Sequence, residues 1–501
     1  MTEFWLSNQK YNLERFLLSF TLLLLPTQFG RHFWPDFAFV QGQRSDYLSP
    51  TIYFTDIFIT LLLLIWFARS CLKKDILETK LSACCIGFLN KFPQSIDDLK
   101  IAPKRNALLS VFLIFITILG IILSQNPLAG LYGLLRMIEF VLFGFYIANF
   151  FEIRHFTSLR GIRQLADDAA IQVFSLGVLF ESLLAIFQFV THKSLGGVFY
   201  FLGERAFNAQ TPGIANASMN GALVLRPYGT FSHPNVLAGY LLISMIIIIS
   251  NFKFQIPNFK YSDKLSIKYR VLSIKTLFPF IVLGLGTIVL FLTLSRVAII
   301  LWLLIIGFLV ISHYSKKILN TPIRGSKYPW GTRYQILNTI LKIRISLTFF
   351  LTGLVIGGIL ITPFLRDRFL GLSLGDESIV SRVSLFTSAI SMIATHPFFG
   401  VGLNNFLPAL PFYSKTNGSV LLLQPVHNIF LLLASEIGLV GFGICMWFLY
   451  LTIRHAISVH ARFLLIALLS ICILGMFDHY FLTLQQGQML LALVLGLCWS
   501  I

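Results

Sequence analysis

Three arginines and one histidine stand where the chain enters or leaves apolar segments: Arg226, Arg296, Arg382 and His427. A guanidinium group donates two parallel hydrogen bonds to phosphate oxygens, and an imidazole can accept a proton near neutral pH. Together these residues suit a phosphate or pyrophosphate ligand in a reaction that includes proton transfer. An arginine at a helix end also commonly anchors the helix to lipid head groups, so residue type alone leaves both interpretations open.

The elements that must position these residues are strongly apolar. The 501 residues are 56% hydrophobic and only 12% charged, with a mean hydropathy of +0.79. Runs of about 17–25 apolar residues, which are long enough to span a hydrocarbon core, recur along the whole chain. The sequence therefore predicts an all-α polytopic membrane protein, a single membrane domain over residues 1–501. The twelve predicted spans are 13–30, 51–68, 107–124, 129–150, 171–190, 235–251, 276–294, 297–313, 346–363, 428–452, 462–480 and 485–501.

The charge of the loops predicts the orientation in the membrane. Loops 69–106, 252–275 and 314–345 carry eight, six and seven Lys or Arg against four, one and no acidic residues. By the positive-inside rule these loops and both termini are cytoplasmic. The same alternation accounts for the net charge of +18, so nucleic acid is not expected as a partner. The loops then predicted to face outward are 31–50, 191–234 and 364–426.

The last outer loop contains a segment with helical periodicity, from Ser381 to His396. Its large apolar side chains recur every three or four residues, which gives the helix one apolar face. Such a helix is expected to lie along the outer membrane interface. The residues of this predicted face are Val383, Phe386, Ile390 and Ile393.

Four segments carry a family resemblance: RPYGTFSHPNVLAGYL (226–241), LTLSRVAIILW (292–302), SRVSLFTSAISMIATHPFFGVGLNNF (381–406) and VHNIFLLLASEIGLVG (426–441). Their order and predicted side resemble the O-antigen ligase and polymerase superfamily over 226–441. The resemblance implies a multi-pass enzyme of the inner membrane with its active site facing the periplasm. Such an enzyme transfers a glycan from an undecaprenyl-diphosphate carrier to a lipid, protein or glycan acceptor, without a metal or other cofactor. Ligase and polymerase activity both remain open.

The resemblance also implies roles for individual residues. His427 corresponds to the candidate base that accepts the proton of the acceptor hydroxyl, and inversion at the anomeric carbon follows from a single displacement. Arg296 and Arg382 would bind the diphosphate, and Arg226 would bind it or organise the site. Four residues are predicted to support the site: Glu436, Asn428, His233 and Asn235. For Glu436 a contact with a helix partner is the alternative, and for His233 and Asn235 it is capping of the sixth span.

Charged residues within the predicted spans suggest a different class of function. Such groups are common in transporters and flippases, although an ion pair between Arg136 and Glu139, three residues apart, would merely hold the bundle together. The four residues concerned are Asp56, Arg136, Glu139 and Glu181.

Several residues near the same face receive mostly structural predictions. Asp478 and His479 end the eleventh span and could line the cavity of the site. Gly438 and Gly441 are expected to form a small-residue face for helix packing, and His396 is expected to belong to a turn.

Overall fold

The computed structural model describes residues 2–72, 102–152, 160–219, 222–251, 274–319, 377–414 and 423–500, and the described part is mostly helical. The helices are α1 (Thr2–Leu23), α2 (Phe54–Leu72), α3 (Ala102–Ile122), α4 (Pro127–Glu152), α5 (Arg160–Thr191), α6 (Val198–Phe201), α7 (Pro234–Asn251), α8 (Ile274–Leu292), α9 (Arg296–Leu319), α10 (Glu377–Thr395), α11 (Phe406–Tyr413), α12 (Ile429–Ser458), α13 (Arg462–Gly475), α14 (Tyr480–Thr483) and α15 (Gln485–Trp499). The strands are β1 (Gly30–His32), β2 (Phe39–Val40), β3 (Gln43–Arg44), β4 (Thr51–Tyr53), β5 (Asn216–Met219) and β6 (Ala222–Leu225).

Every predicted span that the structure describes overlaps a helix, and only span 346–363 lies outside the described residues. The bounds differ in places: α1 ends at Leu23 and α13 at Gly475, whereas the spans were predicted to end at residues 30 and 480. Within the described part, three helical segments are long and apolar enough to cross a membrane: Pro127–Phe151, Ala170–Thr191 and Ile429–Ser458. The fold is that of a helical membrane protein, and the count of twelve spans stays a prediction.

Helix α7 lies at the centre of the bundle. Its side chains are apolar on every face, and those from Val236 to Met245 are almost all buried. A helix that is hydrophobic all round must be enclosed by others, and α7 contacts α5, α8, α9, α13 and α15. Helices α4 and α15 pack closely at Gly144 and Gly496, where a Cβ on Gly496 would lie 2.5 Å from the Gly144 carbonyl oxygen.

Two of the long helices begin with polar caps at the same end of the bundle. The Asn126 Oδ1 atom accepts a hydrogen bond from the Ala129 N–H at the start of α4. Asn428 Oδ1 accepts from Phe430 N and Leu431 N at the start of α12. We call this end the loop end, and it gathers the segments 24–53, 123–126, 192–219, 222–233, 293–295, 396–414, 423–428 and 476–484.

The loop end contains the strands, which the all-α prediction missed. They form three antiparallel pairs: β1 with β4, β2 with β3 and β5 with β6. Each strand has two to four residues, and such short segments do not show the alternation that identifies a strand in a sequence.

Helix α10 matches the predicted amphipathic helix, but most of the predicted apolar face is turned away from the rest of the described protein. Val383 and Phe386 are 57% and 49% exposed, whereas Leu385 and Met392 on the other side are buried. The helix packs against α11 and α12 through this second face. The exposed stripe is therefore available to lipid, as the predicted interfacial position requires.

The prediction for Gly438 needs a correction. This glycine has a φ of +71° and interrupts α12 with a kink. A Cβ there would lie 2.2 Å from the Phe398 carbonyl oxygen, because the backbone of the preceding loop crosses α12 at this point. Backbone hydrogen bonds join the two segments, from Val401 N to Ser435 O and from Leu439 N to Pro397 O. Gly438 thus makes room for a loop at the kink.

Candidate functional site

His427 lies at the loop end, immediately before the residue that caps α12. Its side chain is half-buried, and among the described residues its Nδ1 atom is buried without a hydrogen-bond partner. The imidazole ring meets that of His479 edge-on, with the centroids 5.1 Å apart. A buried imidazole nitrogen without a protein partner is available to a bound molecule.

Asp478 and His479 come from the turn between α13 and α14. The Asp478 Oδ1 atom accepts the His479 backbone N–H at 2.9 Å. The His479 side chain is fixed from two sides, by a 2.7 Å hydrogen bond between Nδ1 and Thr483 Oγ1 and by the ring of Tyr47 at 5.4 Å. One polar side-chain atom from each of His427, Asp478 and His479 lies within 4.8 Å of the other two. These three residues form the histidine cluster.

Arg226 is buried beside this cluster and is held by two other loops. Its Nε donates to the Thr293 carbonyl oxygen at 2.7 Å, and its Nη2 donates to Asn235 Oδ1 at 2.8 Å. The Asn235 Nδ2 atom in turn donates to Asp478 Oδ2 at 3.3 Å. Asn235 therefore links the guanidinium group to the histidine cluster. His233 Nδ1 accepts the Asn235 backbone N–H, which caps α7 as the structural alternative predicted.

Two side chains of helix α5, Glu181 and Gln188, bind the backbone of the segment that carries Arg226. We call these two residues the clamp. Glu181 accepts hydrogen bonds from the backbone N–H and the hydroxyl of Thr230, at 2.9 and 2.8 Å. Gln188 Oε1 accepts the backbone N–H groups of Tyr228 and Gly229. A buried carboxylate satisfied in this way needs no transported ion as its partner. Glu181 thus supports the loop.

The clamp depends on a glycine, which gives a stability prediction. Gly229 has a φ of +59°, and an added Cβ would lie 2.3 Å from Glu181 Oε2. We expect Gly229→Ala to lower the free energy of unfolding by about 2–4 kcal/mol, from the left-handed backbone and the overpacking together. Thermal unfolding of the detergent-solubilised protein measures this loss.

The matched control for that variant is Gly197→Ala. Gly197 also has a φ of +59°, but nothing lies within 4 Å of its added Cβ. Because the ψ of Gly197 is −125°, this control carries a backbone cost of about 1–3 kcal/mol but no overpacking. Equal melting temperatures for the two variants would contradict the predicted destabilising contact between the added Cβ at residue 229 and Glu181.

The electrostatic environment keeps the histidines neutral. Burial lowers the pKa of His427, and the Arg382 guanidinium lowers it further, although Asp478 opposes both. Burial lowers the pKa of His479 to about 4, and that of His233 to about 3. A neutral imidazole can accept a proton, which is the state that a general base requires.

Asp478 keeps its negative charge in the same environment. Burial alone would raise its pKa, but the neighbouring His479, His233 and His427 outweigh burial, and the pKa is lowered. An ionised carboxylate beside His427 would stabilise an imidazolium at that position.

The structure brings most of the predicted site residues together. Arg382, on α10, acts electrostatically on His427, His233 and His479, so it lies near the histidine cluster. Arg296 begins α9, three residues after the Thr293 carbonyl that Arg226 contacts. Among the described residues its Nε atom is buried without a hydrogen-bond partner. The roles of these residues in binding stay predictions.

Two predicted supporting residues stabilise the backbone around the site. Glu436 is turned toward the loop 402–406, where its carboxylate accepts the N–H groups of Asn404 and Phe406. Asn428 caps α12, and its Nδ2 also donates to the Met476 carbonyl at 3.2 Å, which ties α12 to the turn of the histidine cluster. His396 is exposed and contacts Thr395 and Tyr413.

The spacing within the histidine cluster is short enough for a metal ion, but the surrounding charge favours an anion. Two histidines and one carboxylate within 4.8 Å are a ligand set that metal ions use. Arg226 and Arg382 both act electrostatically on His233 at this site, however, so guanidinium groups outnumber Asp478. A pocket that is partly buried and carries a net positive charge disfavours a metal cation and favours a phosphate group.

Two residues of the site were not anticipated. Tyr47 and Thr483 hold the His479 ring, yet neither belongs to a motif in the sequence. The sequence contains only a weak indication that Asp478 and His479 belong to the site, because they are adjacent polar residues at the end of an apolar span. Only the packing of the 24–53 segment against the 476–484 turn brings Tyr47 to this position.

The fold and the site together define a helical integral membrane protein with a basic, histidine-containing site at one end of its bundle. The model of the O-antigen ligase family matches residues 279–446. This match confirms the predicted resemblance to the O-antigen ligase superfamily. It covers Arg296, Arg382 and His427, whereas Arg226 and Asp478 lie outside it. No curated protein matches the chain in sequence.

Proposed function

We propose that the protein is an integral-membrane glycosyltransferase of the O-antigen ligase type. It takes a glycan from an undecaprenyl-diphosphate carrier and joins it to an acceptor hydroxyl at the outer face of the inner membrane. The observation that carries the proposal is the arrangement of Arg226, Arg382 and Asp478 around His427. The family match over 279–446 supports the same conclusion.

The proposed reaction is a single displacement. The acceptor oxygen attacks the anomeric carbon of the donor while the bond from that carbon to the diphosphate oxygen breaks. His427 accepts the proton of the acceptor hydroxyl, and Asp478 stabilises the resulting imidazolium. The lipid diphosphate leaves with the electron pair of the broken bond, and the configuration at the anomeric carbon inverts. Arg226, Arg296 and Arg382 stabilise the growing charge on the diphosphate.

Guanidinium groups meet the main demand of this chemistry. A diphosphate is already a good leaving group, so the barrier depends on charge stabilisation in a partly desolvated site. Arginine provides that charge at any physiological pH and binds phosphate oxygens in a bidentate manner. The mechanism therefore needs neither a metal ion nor a nucleotide sugar.

A polymerase of the same superfamily is the alternative within this class. The test is reconstitution of the purified protein in liposomes with a defined polyprenyl-diphosphate glycan and a separate acceptor. Transfer of one glycan block to the acceptor supports a ligase. Products whose length rises by repeat units would support a polymerase instead.

A transporter or flippase is the alternative from a different class, and the contacts of the intramembrane charges weaken it. The Arg136 Nη1 atom donates to both Asp56 and Glu139 at 2.8 Å. Glu181 is satisfied by Thr230. Internal ion pairing accounts for Asp56, Arg136 and Glu139, as the structural alternative predicted, whereas Glu181 supports the loop of Thr230, which was not predicted.

The charges around His427 predict opposite shifts of the pH profile in two variants. Because the pKa of His427 lies below its ordinary value of 6.5, wild-type transfer should stay constant from pH 8 to 6.5 and fall at lower pH. Arg382→Ala removes a cation that disfavours protonation of His427. The fall in rate on the acid side of the profile, which we call the acid limb, should therefore move to higher pH. Asp478→Asn removes an anion that favours protonation, so the limb should move to lower pH. The measurement is the initial transfer rate of each variant against pH.

A suitable control is Arg44→Ala, because Arg44 is exposed and stacks on Trp34 in the β2–β3 region. Its acid limb should coincide with that of the wild type. If the Arg382 and Asp478 variants shift in the same direction, His427 is not the group that titrates.

A further inference from the structure

A separate cavity lies at the opposite end of the bundle from the histidine cluster. The turn between α12 and α13 forms one side of it, and helices α5, α7 and α15 form the others. Helix α12 runs from the Asn428 cap at the loop end to this turn over 30 residues, or about 45 Å. Arg226, Arg296, Arg382 and the histidine cluster do not line the cavity. The charge of the loops predicts that this end is cytoplasmic.

The interior of the cavity is apolar. Its volume is about 460 Å³, within the range of small-molecule sites. Such a space offers water no hydrogen-bond partners, and protein interiors rarely leave so large a void, so the interior suits an apolar chain. Five side chains of the interior lining are at most 7% exposed: Leu22, Phe174, Ile247, Leu464 and Leu493.

The cavity is deep enough for part of a lipid chain. On α15 its lining extends from Leu493 to Ser500, which at 1.5 Å per residue corresponds to about 10 Å along the helix axis. Phe174 on α5 and Leu22 at the end of α1 continue the apolar lining on the other side. An extended acyl chain can therefore enter with several of its methylene groups between these helices.

The mouth of the cavity carries positive charge. Arg462 and His460 line the cavity and are exposed, which places them at its mouth. The His460 Nδ1 atom donates to the Ser458 carbonyl oxygen at 3.1 Å. None of the described residues that line the cavity is acidic, and the sequence has no Asp or Glu from residue 437 to 477. The charge of the Arg462 guanidinium is therefore not neutralised by an acidic residue of the cavity.

The two ends of the cavity together identify the class of ligand. A guanidinium group binds phosphate oxygens in a bidentate manner, so the mouth suits a phosphate. A free phosphate would leave the apolar interior empty, and an uncharged lipid would leave Arg462 without an anion. A phospholipid satisfies both ends, and the membrane around the protein supplies it. Basic groups at a membrane surface attract anionic lipids in particular.

We propose that this cavity is a binding site for an anionic phospholipid of the cytoplasmic leaflet. The phosphate group lies at Arg462 and His460, and one acyl chain extends into the cavity toward Phe174 and Leu493. Helix α13 has 14 residues, about 21 Å, and separates this site from the histidine cluster at its other end. The site is thus distinct from the proposed transfer site, and its existence does not depend on the transfer activity.

The preference for an anionic head group can be measured by native mass spectrometry of the full-length protein in a neutral detergent. The probes are phosphatidylglycerol and phosphatidylcholine with identical acyl chains. Phosphatidylcholine carries the same phosphate, but its choline cation makes it neutral overall. We expect the Kd of the first bound phosphatidylglycerol to be at least tenfold lower than that of phosphatidylcholine. Equal dissociation constants would overturn the proposal.

A soluble anion serves as the probe for the apolar half of the ligand. Glycerol phosphate has the head group of the lipid without its acyl chains. In excess it should leave phosphatidylglycerol bound, because the apolar interior contributes to the affinity. Displacement of the lipid by glycerol phosphate would show that the site recognises a soluble anion and would refute the lipid assignment.

One pair of variants tests the mouth. Arg462→Gln should raise the Kd of phosphatidylglycerol about tenfold, to the value for phosphatidylcholine. Arg454→Gln is the matched control, because Arg454 is exposed near the same end of α12, lies over the Tyr450 ring and does not line the cavity. Its Kd should equal that of the wild type. Equal losses in both variants would indicate general attraction to a basic surface, and no loss in either would exclude Arg462 as the binding group.

A second pair of variants tests the interior. Ala170→Phe places a large side chain in the cavity, whereas Leu176→Phe places it on the same helix at a position that is 46% exposed. Binding of phosphatidylglycerol should be lost in Ala170→Phe and retained in Leu176→Phe. Loss in both variants, or in neither, would count against the cavity as the site. Because Arg462 is exposed, its variant decides the question even if Ala170→Phe does not fold.

Discussion

His427→Ala is expected to lower the initial rate of glycan transfer by about 10²- to 10⁴-fold, the usual contribution of a general base. The imidazole has a buried nitrogen without a partner among the described residues, and its lowered pKa keeps it neutral. No other described group offers both properties beside Asp478. The assay uses the purified variant in liposomes with a saturating amount of donor.

The loss should not come from unfolding. His427 precedes the Asn428 cap, so α12 keeps its N-terminal hydrogen bonds when the imidazole is removed. We expect the variant to accumulate in the membrane and to melt within a few degrees of the wild type. His396→Ala is the matched control, because His396 lies on the same loop end but is exposed. A His427→Ala protein with more than half of the wild-type rate would rule out His427 as the base.

Arg226→Gln is expected to lower the transfer rate by about 10²- to 10³-fold, as loss of one group that stabilises a developing anion typically does. Arg226 is buried, and its position is fixed by Thr293 and Asn235. A glutamine can replace one of these hydrogen bonds but carries no charge. Steady-state kinetics should show the loss mainly in kcat, because the charge on the diphosphate grows in the transition state.

Two further variants show whether charge or geometry is responsible. Arg226→Lys keeps the charge but cannot reach both Thr293 O and Asn235 Oδ1, so we expect an intermediate loss of about tenfold. Arg205→Gln is the control, because Arg205 is an exposed arginine of the same loop whose hydrogen bond goes to the Ser232 carbonyl. If Arg205→Gln and Arg226→Gln have the same effect, the role of Arg226 is merely that of a surface charge.

The helical architecture was accessible from hydropathy, because spanning a bilayer requires long apolar helices whatever their neighbours are. The same argument located the turn at Arg296 and the start of α12 at His427. The short strands and the kink at Gly438 were not accessible. The kink arises where the 396–402 loop crosses α12, and each strand exists only through pairing with a second strand of the loop end.

The candidate site also has features that the sequence predicts and features that only the folded structure shows. Arginine and histidine are recognisable in a sequence because their chemistry belongs to the side chain, and the family match covers Arg296, Arg382 and His427. Their partners are recognisable only after folding. Asp478 reaches Arg226 through Asn235, and Glu181 reaches Thr230 from another helix.

Local sequence was thus sufficient for the positions of the described apolar helices and for the chemical type of the candidate site residues, but not for every helix end. Hydropathy and charge act residue by residue, and the bilayer imposes the same requirement on each helix separately. The tertiary structure decided which residues meet, in the histidine cluster and in the contacts of Glu181 and Gln188 with the loop that carries Arg226. These features depend on the packing of helices against one another, and no short segment of the chain contains that information.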